Sequence, residues 1–121
     1  MGAVKSFQEF VGEVKQSIKE VDAATLKGKL DQGEKLLLVD VREQEEMAAS
    51  RLPGAATVGR GMLELDIGEL APDSTTEIVL YCSGGSRSAL AAESLQRMGY
   101  TNVYSLSGGF RGWRGAGYPV E

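Results

Sequence analysis

The chain has 121 residues, with 17 acidic and 13 basic side chains, a formal net charge of −4, one cysteine and no histidine. Length and composition (42% hydrophobic, 25% charged) suit one ordinary folded domain. The missing histidine excludes Ser-His-Asp and Cys-His nucleophile activation and any zinc site with imidazole ligands. Lone Cys82 excludes an intramolecular disulfide and a Cys-x-x-Cys redox pair. Neither a metal nor an organic cofactor is expected. The net negative charge disfavours nucleic acid as a partner, because neutralising phosphates needs a basic field. No stretch has the apolar length of a membrane span, and Met1 to Glu20 lacks the continuous apolar core of a signal peptide. A soluble, reducing, cytoplasmic setting is expected.

In chain order, Phe7, Phe10, Val11, Val14, Ile18 and Val21 recur at helical spacing and predict one amphipathic helix reaching Val21. This suggests a division into an N-terminal helix, 1–21, and a domain, 22–121. Asp22 is placed to cap a second helix over Ala23 to Gln32, with Gly33 just past its end. Leu36 to Val39 is an unbroken apolar run ending at Asp40, as in a buried parallel strand. A short helix over Glu43 to Ala49 is broken by Leu52-Pro53-Gly54, and Ala56 to Val58 reads as a short strand. Met62 to Leu70 reads as a helix and Ile78 to Tyr81 as a second buried strand. After the loop composition of Ser83 to Ser86, a helix is expected over Ser88 to Met98. Val103 to Leu106 is a further strand, followed by a short Phe110 to Trp113 segment and a tail loop from Gly115. This alternation predicts an α/β domain with a mostly parallel central sheet and helices on both faces.

The chemistry concentrates in Tyr81-Cys82-Ser83-Gly84-Gly85-Ser86-Arg87-Ser88. Isolated cysteines usually act as small buried hydrophobes. Here the thiol stands at the carboxyl end of a strand, where open α/β sheets bind ligands. Two glycines follow, able to curl successive N–H groups inward, and then an arginine near a helix start. A helix N-terminus favours an anion, so a Cys82 thiolate is stabilised without an imidazole, and the thiolate is the nucleophile. Asp40 and Arg42, at the end of a strand, read as a structural carboxylate–guanidinium pair bonded to nearby loops. Phe110 and Trp113 read as core or pocket wall.

Cys82 to Ser88 resembles the active-site loop of the rhodanese family, Cys-x-x-Gly-x-Arg-Ser. Three further segments resemble family signatures in the same order. These are Asp40-Val41-Arg42 with Glu45 or Glu46, Leu52-Pro53-Gly54-Ala55 with Arg60-Gly61, and Gly108-Gly109-Phe110 with Trp113 and Gly117-Tyr118-Pro119-Val120. The chain departs from the pattern at Ser50-Arg51, where Gly-His is usual, and at Gly59, where proline is common before the arginine.

The resemblance implies a rhodanese-like fold and a sulfurtransferase. In it Cys82 takes the outer sulfur of thiosulfate, or a related small anionic donor, and passes it from a persulfide to a thiol or a sulfur-acceptor protein. It further implies that the N–H groups of Ser83, Gly84, Gly85, Ser86, Arg87 and Ser88 line the site. Arg87 adds charge or braces the loop, and Arg60, Arg111 and Arg114 approach the pocket mouth. Two alternatives stand beside it. One is a noncatalytic or sulfur-carrier module that binds a partner protein. The other is a cysteine phosphatase or arsenate reductase, whose cysteine-to-arginine loop is one residue longer than the stretch from Cys82 to Arg87.

Overall fold

The computed structural model describes residues 2–121. Five strands form one parallel sheet: β1 (Lys19–Val21), β2 (Leu37–Asp40), β3 (Ala56–Thr57), β4 (Ile78–Tyr81) and β5 (Val103–Leu106), in the spatial order β1-β5-β4-β2-β3. The helices are α1 (Phe7–Lys15), α2 (Ala23–Asp31), α3 (Gln44–Ala49), α4 (Leu63–Leu70), α5 (Ser86–Met98) and α6 (Gly109–Gly115), with a 3₁₀ turn at Arg60–Met62 leading into α4. Parallel neighbours need crossover connections, and the helices supply them on both faces of the sheet, so the strands read as unbroken apolar runs.

Alternation along β4 sorts the core. Ile78 and Leu80, followed by Cys82, face Leu63, Ile67, Ala91, Ala92 and Leu95 of α4 and α5. Val79 and Tyr81 face Leu26 of α2 and Phe110 and Trp113 of α6. Cys82 therefore belongs, by the period of two, to the face that α5 covers. Among the described residues no helix is long and apolar enough to cross a membrane.

The N-terminal helix is shorter than its periodicity predicts. α1 begins with a capping box, in which Ser6 Oγ accepts from Glu9 N at 3.1 Å and Glu9 accepts from Ser6 N. It stops at Lys15, and residues 19–21 are extended, with Lys19, Glu20 and Val21 in register with Tyr104, Ser105 and Leu106. Val21 satisfies the helical spacing, but its burial beside Leu26 and Leu106 and the backbone bonds of an added strand outweigh three more residues of helix. Val11 and Val14 are buried as α1 packs on α5, whereas Phe7 and Phe10 remain exposed.

The other elements fall close to their expected places. Asp22 caps α2 by accepting from Thr25 N at 2.7 Å, and Gly33 follows with φ +71°. α5 starts two residues earlier than Ser88, so Ser86 and Arg87 lie in its first turn instead of in a loop or just ahead of the helix. The tail after Gly115 is docked. Glu121 and Arg51 exchange backbone hydrogen bonds at 2.8 and 2.9 Å, and Trp113 Nε1 donates to Pro119 O at 2.7 Å.

Candidate active site

Cys82 follows the last residue of β4, and the chain turns through Ser83 and Gly84 to Gly85, which caps α5 with φ +104°. Only glycine takes that conformation without strain. A Cβ on Gly85 would also lie 3.4 Å from Leu106 O and Gly108 N, so the turn sits directly against the end of β5. α6 holds the outer side of the loop: Phe110 N donates to Cys82 O at 2.8 Å and Arg111 N donates to Ser83 O at 3.0 Å. This close approach requires Gly109, with φ +57°, where a Cβ would be 2.6 Å from both carbonyl oxygens. With those carbonyls engaged by α6, N–H groups farther along the loop turn inward.

They turn onto sulfur. Cys82 Sγ accepts from Gly85 N at 3.1 Å and Ser88 N at 3.3 Å, and lies 3.4 Å from Ser88 Oγ. The side chain is 1% exposed. Burial pushes the thiol up, yet the Ser88 hydroxyl and the N–H groups of Ser88, Gly85 and Gly84 outweigh it and hold the thiol below its ordinary value. Ser83 and Ser86 make no hydrogen bond to the sulfur. The inward donors are thus a subset of the Ser83–Ser88 stretch that the motif marks. Ser88 Oγ is in turn 2.8 Å from Ser105 Oγ on β5, and both serines are fully buried.

The arginines divide by what they touch. The two terminal nitrogens of Arg87 bond Glu46 Oε1 and Oε2 of α3 at 2.9 and 3.1 Å, so Arg87 braces the first turn of α5 against α3. That contact selects Glu46 over Glu45 as the acidic partner. Arg60 is tied to Glu64 one turn on, at 2.8 and 2.9 Å. The Arg111 guanidinium lies against Gly84, where it fills the space a Cβ would take. Arg111 and Arg114 are both exposed and make no ion pair among the described residues.

Behind the loop, Asp40 is fully buried. Its carboxylate accepts from Arg42 N at 3.0 Å, Arg42 Nε at 3.0 and 3.1 Å, Arg42 Nη2 at 2.8 Å and Tyr81 Oη at 2.7 Å. Arg42 Nη2 also donates to Ser50 O at 2.6 Å, Tyr81 Oη accepts from Leu52 N at 3.1 Å, and the guanidinium stacks 4.4 Å from the Phe110 ring centroid. The pair knits the ends of β2 and β4, the segment after α3 and the start of α6. A separate cleft of about 520 Å³ runs along α3 and β3, lined by residues including Met47, Arg51 and Thr57 and by none of 82–88. No group of acidic or cysteine side chains is arranged to hold a metal among the described residues.

The sequence profile described as a Rhodanese-like domain matches residues 22–116. The chain belongs to the rhodanese-like domain family. A sulfurtransferase from Allochromatium vinosum is 32% identical over 103 residues, covering 85% of this chain and 94% of that protein. A putative sulfur carrier protein from Bacillus subtilis is 34% identical, over 88% of this chain and 57% of its own length. Among solved structures, a Rhodopseudomonas palustris protein of unknown function, described as a possible tyrosine phosphatase, superposes with a TM-score of 0.87 at 32% identity and covers 100% of this chain and 98% of its own. A Pseudomonas aeruginosa thiosulfate sulfurtransferase gives 0.85 at 31% identity, over 95% of this chain and 22% of its own. As a rhodanese-like domain with relatives named sulfurtransferases, the chain carries transferase character at the level of the family. Ser105 and the Tyr81 hydroxyl are neighbours of the Cys82 loop to which sequence reading gave no role, and Glu46 appeared there only as one of two glutamates in a motif.

Proposed function

We propose that this rhodanese-like domain is a sulfurtransferase with Cys82 as its nucleophile and thiosulfate or a chemically similar sulfane donor as its substrate. The observation that carries the reading is the Cys82 sulfur, buried at the N-terminus of α5 with Gly85 N, Ser88 N and Ser88 Oγ converging on it. The thiolate attacks the outer sulfur of thiosulfate. The S–S bond breaks, sulfite leaves with the bonding pair, and Cys82 becomes a persulfide. A thiophile then attacks the outer persulfide sulfur and regenerates the thiolate. The same N–H groups stabilise negative sulfur at each stage, without imidazole or metal in the scheme. Arg111 and Arg114, exposed and without ion pairs among the described residues, supply positive charge at the mouth; Arg60, compensated by Glu64, contributes less. With no second cysteine in the chain, the sulfur leaves to an external thiol or acceptor protein.

The arrangement of Arg87 favours this reading over a phosphatase. Both terminal nitrogens that would grip a tetrahedral oxyanion are bound to Glu46. A carrier role, suggested by the name of the Bacillus subtilis relative, uses the same persulfide and differs only in what discharges it. Incubation with thiosulfate followed by intact mass measurement is expected to add one sulfur atom, and Cys82→Ser to add none. In a thiosulfate–cyanide assay Cys82→Ser is expected to lose thiocyanate formation altogether. An unmodified wild-type mass with every sulfane donor, or an active Cys82→Ser, overturns the proposal.

A further inference from the structure

The Cys82 sulfur is connected through Ser88 to a residue that belongs to neither the loop nor its motif. Ser105 sits in the middle of β5, opposite Leu80 of β4, on the face that carries Val103 into the apolar core with Ala91, Ala92 and Leu95. A buried hydroxyl in such surroundings costs free energy unless it is hydrogen-bonded. Among the described residues, Ser105 Oγ has one side-chain partner, Ser88 Oγ at 2.8 Å, and Ser88 Oγ has one more, Cys82 Sγ at 3.4 Å.

We infer that Ser105 is a positioning residue that turns the Ser88 hydroxyl proton onto the Cys82 thiolate. A serine hydroxyl has one proton to give and lone pairs to receive. In one arrangement Ser105 donates to Ser88 and Ser88 donates to Sγ, so both protons are used and the sulfur must be an acceptor. In the other, Cys82 S–H donates to Ser88 and Ser88 donates to Ser105. The Ser105 proton then faces the apolar core with no acceptor. Only the arrangement that serves a thiolate leaves nothing unsatisfied, so the chain Ser105–Ser88–Cys82 biases the sulfur toward its anion. The backbone donors Gly85 N and Ser88 N are fixed on the sulfur and favour the anion as well, but independently of Ser105.

Of the charged groups around Cys82, Arg87 attracts the thiolate through space, but none of them acts through Ser105. Arg87 on α5 is engaged by Glu46 of α3, Arg111 of α6 lies over Gly84 on the solvent side, and Asp40 and Arg42 at the end of β2 neutralise each other. No histidine is present to titrate nearby.

The inference deepens the proposed nucleophile role, but its test does not depend on the sulfur donor. Cys82 is the chain's single cysteine, so the thiolate ultraviolet absorbance against pH, with Cys82→Ser as baseline, reports this sulfur alone. Ser105→Ala is expected to shift the midpoint upward and to lower the thiol–thiolate ionisation constant about fivefold, the size of one ordinary hydrogen bond. Ser105→Thr keeps the hydroxyl and restores the midpoint; Ser105→Val, equal to it in shape, does not. In a Ser88→Ala background Ser105→Ala shifts nothing further, because its only route to the sulfur is gone. Equal midpoints for the Thr and Val variants overturn the inference, as does a Ser105→Ala shift that persists without Ser88. A normal thiolate shift with no persulfide from any donor would instead count against the sulfurtransferase reading alone.

Discussion

Asp40 is a carboxylate at 0% exposure, held in place by Arg42 two residues away and by Tyr81. Arg42 gives it a backbone N–H, Nε and Nη2, and Tyr81 gives a phenolic O–H. A buried ion pair is weak evidence of net stability, but removing one partner leaves an uncompensated charge. Arg42→Met keeps much of the side-chain volume and the backbone donor while stranding Asp40. It also frees Ser50 O and removes the guanidinium from the Phe110 face. The expected loss is about 3–5 kcal/mol. Tyr81→Phe removes one of several donors to Asp40 and one acceptor for Leu52 N, for an expected loss of about 1–3 kcal/mol. Urea unfolding of both variants checks the order, and a Tyr81→Phe that is the less stable of the two contradicts this account. Since Tyr81 adjoins Cys82 and Phe110 N holds the Cys82 carbonyl, this network sets the floor on which the sulfur stands.

At the level of elements, the first turn of α5 is braced by α3, and one pair makes the connection. Hydrogen bonding to Arg87 brings the Glu46 carboxyl from 4.5 down to about 2, with burial opposing and the Glu43 N–H assisting. A carboxyl that binds its proton less tightly when folded stabilises the fold above its unfolded value. That share disappears as pH falls from about 4.5 toward 2. With the Glu46 side chain 34% exposed, solvent screening reduces its size but not its sign. Glu46→Gln retains a side-chain oxygen for the Glu43 N–H and loses the charge. Its melting temperature is therefore expected to fall less steeply than the wild type's across that pH window, and parallel curves would dismiss the link. Glu64 and Asp73, also lowered, are common to both proteins and cancel in the comparison. This pair also shows what sequence reading reaches. The Cys82 loop is legible because strand run, thiol, glycines and helix start are consecutive, and each residue's reason is local. Glu46 stands 41 residues from Arg87 and Ser105 stands 17 from Ser88, so both contacts depend on the order and register of parallel strands. Local patterns do not encode that register. The same limit explains α1: Val21 fits a helical period, and only its pairing with Leu106 turns it into a strand.

Taken as a whole, the molecule carries a net charge of −4, and the proposed donor is a dianion, so the long-range field repels what the site must admit. The local field has the opposite sign. Arg111 lies against Gly84 of the Cys82 loop, and Arg114 follows one helical turn along α6, both exposed and without an ion pair among the described residues. Interactions between exposed charges fade beyond a Debye length of about 10 Å at 0.1 M salt. At that ionic strength the scattered surface carboxylates are largely screened from the pocket mouth, while an arginine in contact with the loop is still felt. The two fields therefore make opposite predictions for added salt. If the whole-molecule charge governs encounter, screening it speeds the approach of thiosulfate. If the arginines govern, screening them slows it. We expect kcat/KM for thiosulfate to fall as potassium chloride rises, and Arg111→Gln with Arg114→Gln to flatten or invert that slope by leaving only the net negative field. Cyanide in the second half-reaction is a much weaker probe, being mostly protonated at neutral pH, so the slope belongs to the donor step. A wild-type kcat/KM that rises with salt would remove the arginines from the mechanism and leave the backbone N–H groups of the Cys82 loop to hold the anion alone.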